Sequence, residues 1–175
     1  MRGRLEERSG GTAAGAVCTL LLLALSGCSY SFTGASVPPN WKTIAIPLVE
    51  DQSGYGEPGL REEFTTMLTT LFINDNSLQV SERTSSDLIL SGAVANVIDA
   101  PSSVGGEEQV RARRVTVTVR YRLQDMTTRR EVWEKTFSNW GEYPWTGGPS
   151  QVREGLNEAM RKITEDILLE TVSGW

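Results

Sequence analysis

Val115-Thr116-Val117-Thr118-Val119-Arg120-Tyr121-Arg122-Leu123 alternates apolar and polar residues without a break. Successive side chains of a strand point to opposite faces, so the pattern predicts a strand with one face on a core and the other carrying threonines and arginines. Just upstream, Val110, Ala112 and Arg114 run in the other parity, and a bulge near Arg113 reconciles the two halves.

Working outward, residues 87–99 read as a second long strand, with Leu88, Leu90, Val94 and Ile98 on one face. Gly92 interrupts that face and marks a bend or bulge. Residues 101–109 hold two serines, two glycines and two glutamates, the composition of a hairpin tip. After a turn at 125–129, residues 131–140 form the next strand, with Trp133 and Phe137 on one side and Val132 on the other. A short buried first strand is expected at 43–48, ended by Pro47, then a turn-rich loop at 50–59 and a brief strand at 78–80.

Two stretches follow helical periodicity instead. Leu60, Phe64, Met67, Leu68 and Leu71 form one stripe on a helix that Pro58 opens and Asn74, Asp75 and Asn76 stop. Val152, Leu156, Ala159, Ile163 and Ile167 form another, capped by Ser150, on a final helix that frays towards Gly174 and Trp175. Strand, helix, several strands, helix predicts an α+β, two-layer sandwich: two helices packed on one face of a mostly antiparallel sheet of four to five strands.

Composition bounds the function. With 39% hydrophobic and 22% charged residues in 175, the chain is that of an ordinary globular protein. Setting aside Arg2, Arg4, Arg8, Glu6 and Glu7 from totals of 17 basic and 22 acidic residues leaves a formal charge of about −6, which argues against nucleic-acid binding. There is no histidine, so the usual proton shuttle and the commonest zinc ligand are missing, and neither cofactor nor metal is expected. Glu50, Asp51 and Glu57 are the acids a carboxylate-based hydrolase would draw on, but no nucleophile motif accompanies them.

The first 27 residues have the pattern of an export signal, with a basic opening followed by an apolar run from Thr12 to Leu25 that is too short to span a bilayer. Leu25-Ser26-Gly27-Cys28 resembles a bacterial lipobox. The small residues suit a membrane-embedded peptidase, and the Cys28 thiol is the nucleophile that accepts lipid. Cys18 is lost with the signal and Cys28 is acylated, so no intrachain disulfide is available. The expected organisation is a signal peptide at 1–27, a lipidated tether at 28–42 and a single domain at 43–175.

Beyond the lipobox, Cys28-Ser-Tyr-Ser-Phe-Thr-Gly-Ala-Ser-Val-Pro-Pro followed by Lys42-Thr-Ile-Ala-Ile-Pro is similar to the opening of the LptE family, in the version found in Bacteroidetes-type bacteria. Glu57-Pro58-Gly59-Leu60 entering the first helix, Thr136-Phe137-Ser138 before a run of aromatics, and a terminal helix closing on Trp175 extend the similarity over nearly all the chain after Cys28. The resemblance implies an outer-membrane lipoprotein that sits inside an LptD-type β-barrel, helps it assemble and helps lipopolysaccharide reach the outer leaflet. It also implies attachment at the periplasmic face, since neither an aspartate nor an acidic run follows Cys28. No enzymatic activity is implied.

Two groups are candidate contacts. Arg114, Arg120 and Arg122 share the polar parity of their strand, and guanidinium forks match the phosphates of lipopolysaccharide. A charged, solvated sheet face that discourages edge pairing explains them as well. Trp140, Tyr143 and Trp145 lie on what reads as an aromatic loop at 141–148 and its flank, suited to pressing on a partner. The rival binding role is activation of a periplasmic cell-wall synthase, by lipoproteins with a similar Thr-Ile-Ala-Ile opening. That role needs a long spacer, and here the first strand starts only fifteen residues after Cys28.

Overall fold

The computed structural model describes residues 37–104, 110–145 and 149–173. The signal, Cys28, most of the tether, the 105–109 tip and Trp175 lie outside the described residues.

Among the described residues six strands and two helices follow in the order β1 (Thr43–Ala45), β2 (Glu50–Asp51), α1 (Leu60–Asp75), β3 (Gln79–Val80), β4 (Leu88–Val104), β5 (Val110–Asp125), β6 (Arg130–Pro144) and α2 (Pro149–Ser173). They form one sheet in the order β3-β1-β4-β5-β6, with β2 lying along β4 beyond β1. The three long strands pair antiparallel, whereas β1 is parallel to both β3 and β4 and β2 is parallel to β4. The expected two-layer sandwich is therefore present, with a parallel corner that adds a strand. That corner is a consequence of α1, which carries the chain back so that β3 runs in the direction of β1.

The core lies between the helices and one sheet face. Val115, Val117, Val119, Tyr121 and Leu123 are all buried, as their alternation requires. On α1 the buried stripe is Leu60, Phe64, Leu68 and Phe72, a strict i, i+4 row, while Met67 and Leu71 are only partly buried on its flank. Gly59 precedes the helix, so Pro58 lies just outside it, and Asn76 ends it in the left-handed conformation with its N–H on the Phe72 carbonyl at 3.1 Å. Leu156, Ala159, Met160, Ile163 and Ile167 form the buried face of α2, which starts at Pro149, so Ser150 is inside the helix rather than capping it. Among the described residues no helix is long and apolar enough to cross a membrane.

The hairpin has an irregularity that the alternation does not suggest as well as one that it does. β4 gains a residue at Ala95, between the Val94–Val119 and Asn96–Thr118 pairs. That bulge reverses the parity of everything after it, so Val97 is buried and Ile98 is 53% exposed instead of sharing the core face with Leu90. Further shifts separate the Pro101–Arg113, Ser103–Ala112 and Val104–Val110 pairs, so the pairing is irregular beside Arg113, where the parity change of β5 places a bulge. Gly92 makes no bulge. A Cβ there would stand 2.5 Å from the Arg120 carbonyl oxygen and from the Tyr121 ring, so its missing side chain is the space that the tyrosine occupies beside Phe64, 5.9 Å away between centroids.

At the other end of the long strands Gly141 and Gly155 let α2 approach β6. A Cβ on Gly141 would stand 2.1 Å from the Gly155 carbonyl oxygen, and one on Gly155 would meet Tyr143 at 2.8 Å and Val115 at 2.9 Å. From this contact α2 runs back along β6, with Asn139 donating to Asp166 and Lys135 paired with Glu170.

Candidate functional site

With both helices on one face, the other face of the β4–β5–β6 ribbon carries polar and charged side chains, and it divides into two halves. Near the chain entry, Arg120 and Arg122 of β5 line a shallow cleft of about 620 Å³ with Arg83, Leu48, Ser91 and Glu134. Arg122 Nε donates to Ser91 Oγ at 3.3 Å, and Arg120 Nε stands 4.0 Å from Glu134. Arg83 has no periodic signature because it belongs to the loop between β3 and β4, and only the return of that loop beside β4 brings it to the arginines of β5.

Arg114 belongs to the other half. It shares a face with Arg120, but six residues along a strand are roughly 20 Å. Its guanidinium lies 3.9 Å from the Trp140 ring centroid and pairs with Glu142 at 2.7 Å. Lys162 of α2 reaches around the β6 edge to the same indole, with Nζ 4.5 Å from the ring and 2.9 Å from the Trp140 carbonyl oxygen. Trp140 thus meets two cations, with 40% of its surface still open to solvent. Because Asn139 Oδ1 accepts from the Trp140 N–H, both backbone groups of this edge residue are occupied by side chains.

Tyr143 and Trp145 separate in depth. β6 continues to Pro144, so Tyr143 is a strand residue facing the core and only 2% exposed, not a loop residue offering its ring to a partner. Its hydroxyl donates to Asp99 Oδ2 at 2.6 Å, while Arg113 Nε donates to Asp99 Oδ1 at 3.0 Å. Burial first, and then the bond to Asp99, pushes the phenol up to about 12. The Asp99 hydrogen bond raises the already charged Arg113 guanidinium further, and that guanidinium lies 4.9 Å from the Trp145 ring. Trp145 is 40% exposed and meets Tyr143 edge-on at 6.5 Å. Sequence spacing alone did not reveal this carboxylate–guanidinium–phenol cluster, since its partners come from three strands. Trp133 and Phe137 pack on the core edge-to-face, 6.0 Å apart.

The acids of the first loop have structural partners. Glu57 pairs with Arg153 at 2.8 Å, and Asp51 accepts the Ser53 N–H and hydroxyl. Among the described residues no three His, Cys, Asp or Glu side chains are grouped to hold a metal ion. What the ribbon offers chemically is recognition: guanidinium groups for anions in one half, and half-exposed indoles braced by cations in the other.

Comparison with known proteins gives a fold and a family. No curated protein matches the sequence. Solved structures do: a hypothetical protein from Chlamydia trachomatis is 8% identical, with a TM-score of 0.57 over 74% of this chain and 95% of its own. A putative neuraminyllactose-binding hemagglutinin homolog from Helicobacter pylori is 13% identical, with a TM-score of 0.57 over 83% and 90%. PelC from Paraburkholderia phytofirmans, solved as a dodecamer, is 15% identical, with a TM-score of 0.52 over 80% and 95%. At such identities these likenesses concern the fold alone. The family assignment comes from the sequence, because residues 41–171, β1 through nearly all of α2, match the model of one family. The chain belongs to LptE, the lipopolysaccharide-assembly family.

Proposed function

We propose that this protein is an outer-membrane lipoprotein, held by lipid on Cys28 at the periplasmic face, that seats in an LptD-type β-barrel, helps it assemble and assists lipopolysaccharide on its way to the outer leaflet. The family match across residues 41–171 carries the reading. The role is one of binding rather than catalysis. Two or more acyl chains hold a protein stably at a membrane, and Cys28 stands only fifteen residues before β1.

The layout of the ribbon supports a division of labour within that role. Arg83, Arg120 and Arg122 suit the phosphates of lipopolysaccharide, with Arg120 and Arg122 on a helix-free surface. Trp140 and Trp145 suit a protein wall, with Arg114 and Arg113 bracing them, and Tyr143 supports this end from the core.

The test is co-purification of the tagged full-length chain from outer membranes in mild detergent. The wild type recovers the barrel together with lipopolysaccharide. Joint replacement of Trp140 and Trp145 by alanine lowers barrel recovery, whereas Arg83→Glu, Arg120→Glu and Arg122→Glu together lower lipopolysaccharide at constant barrel. A wild-type chain recovered without any barrel defeats the proposal.

A further inference from the structure

On the side of the molecule away from the ribbon face, the two helices leave a groove between them. They run in the same direction, since α1 returns from β1 and α2 from β6, two strands with the same sense, and the Glu57–Arg153 pair joins their starting ends. Glu62, Met67 and Leu71 of α1 and Glu154, Asn157, Arg161 and Thr164 of α2 line one depression of about 960 Å³. The groove exists because the buried rows of both helices point at the sheet. Met67 and Leu71 therefore fall on the flank of α1, while α2 answers them with Asn157 and Thr164 instead of a large apolar side chain. The floor is apolar and the rim is acidic.

The rim charge is unbalanced. Five glutamates line the groove against one cation, Arg161, which is already engaged by Glu158 at 2.9 Å and Glu165 at 2.8 Å. Among the described residues Glu62, Glu63 and Glu154 form no salt bridge, and all three lie at the end where both helices begin. Glu62 and Glu63 gain from the α1 N-terminus. Glu154 sits beyond the first turn of α2, so that explanation does not reach it. Asn157 Oδ1 adds an acceptor that is buried without a hydrogen-bond partner.

We propose that this groove binds a cationic amphipathic segment of a partner protein. Aliphatic side chains of the segment rest on Met67 and Leu71, and its lysines or arginines meet Glu62, Glu63 and Glu154. The site is separate from the arginine cleft and the tryptophans, lies on the opposite layer, and attracts the opposite charge. It does not depend on the barrel reading.

The test is fluorescence anisotropy of the full chain in detergent with a labelled leucine–lysine amphipathic peptide, beside a leucine–glutamate and a serine–lysine counterpart. The leucine–lysine peptide binds, and both counterparts bind at least about tenfold more weakly. Glu62→Gln, Glu63→Gln and Glu154→Gln together weaken binding about tenfold, while the charge-matched set Glu50→Gln, Glu82→Gln and Glu131→Gln leaves it unchanged. Thr70→Arg, an exposed substitution in the groove, weakens it without disturbing the fold. Equal losses in the two glutamine sets, equal binding of the serine–lysine peptide, or no effect of Thr70→Arg overturns the proposal. Barrel co-purification of the same variants, expected to be unchanged, keeps this outcome distinct from that of the proposed function.

Discussion

Where the chain enters the sheet, side-chain carboxylates hold backbone in place, whereas at the far end, roughly 40 Å along β5, glycines and arginine-braced rings take over. At the entry, Asp87 Oδ2 accepts from the Lys42 N–H at 2.9 Å, the Thr43 N–H at 3.0 Å and the Thr43 hydroxyl at 2.9 Å. The Thr43 Oγ1 in turn accepts from the Asp87 N–H, which locks the start of β1 to the start of β4. Asp125 binds the Trp41 indole and the Thr127 and Thr128 N–H groups of the β5–β6 turn. At the far end the side chains that bond backbone across elements are cations instead, Lys162 on the Trp140 carbonyl at 2.9 Å and Arg113 on the Asp99 carbonyl at 3.1 Å. This end relies on the Gly141–Gly155 approach, the Asp99 cluster and two solvent-facing tryptophans. The contrast separates an end tied by carboxylates, next to the segment that leads back to Cys28, from an end that keeps Trp140 and Trp145 40% exposed.

Three substitutions probe that contrast, taken from the largest effect to the smallest. Gly141→Ala puts a methyl group against the Gly155 carbonyl and forces α2 off β6. Urea unfolding is expected to show a loss of about 3 kcal/mol, with lowered recovery of any partner that depends on Trp140 and Trp145. A loss under about 1 kcal/mol means that α2 shifts freely and that the glycine contact does not position this end.

Asp87→Ala removes the acceptor of three hydrogen bonds and is expected to cost about 2 kcal/mol. The Lys42 N–H, followed by the Thr43 hydroxyl and N–H, holds the Asp87 carboxyl below its ordinary value of 3.8. Burial raises the Asp125 carboxyl, but the bonds from Thr128, Trp41 and Thr127 together outweigh it and hold this group low as well. In both cases the unfolded chain takes up protons first as the pH falls. The stabilisation is therefore complete above about pH 4 to 5 and declines through the acid range towards the folded values. Asp87→Asn flattens part of that slope, and an unchanged slope assigns the acid sensitivity elsewhere.

Trp140→Ala has the smallest effect on stability. The ring is half exposed, so about 1 kcal/mol or less is expected from thermal melts, while partner recovery falls. If stability falls as much as in Gly141→Ala, the far end is structural after all and the contrast between the ends fails.

Much of the arrangement is legible from residue spacing where a single element suffices. The alternation from Val115 to Leu123 and the helical stripes of α1 and α2 are local patterns, and burial follows them except at the margins, where Met67, Leu71 and Val152 are only partly buried. Spacing stops being informative where one extra residue changes the outcome. The Ala95 bulge exposes Ile98, and the continuation of β6 to Pro144 turns Tyr143 inward. The arginine stripe shows the same limit, because parity puts Arg114, Arg120 and Arg122 on one face but says nothing about their neighbours. Arg114 has an indole and a glutamate, whereas Arg120 and Arg122 share a cleft with Arg83.

By itself the sequence determined the two-layer α+β architecture, the buried rows, the polar face of β5 and the family, because each depends on periodicity or on residues close together along the chain. Only the tertiary structure decided that Asp99 ties Arg113 to Tyr143, that Arg114 and Lys162 meet on Trp140, and that two parallel helices leave an acidic groove. Those contacts join residues tens of positions apart, and their geometry depends on bulges and close backbone approaches that no local pattern encodes.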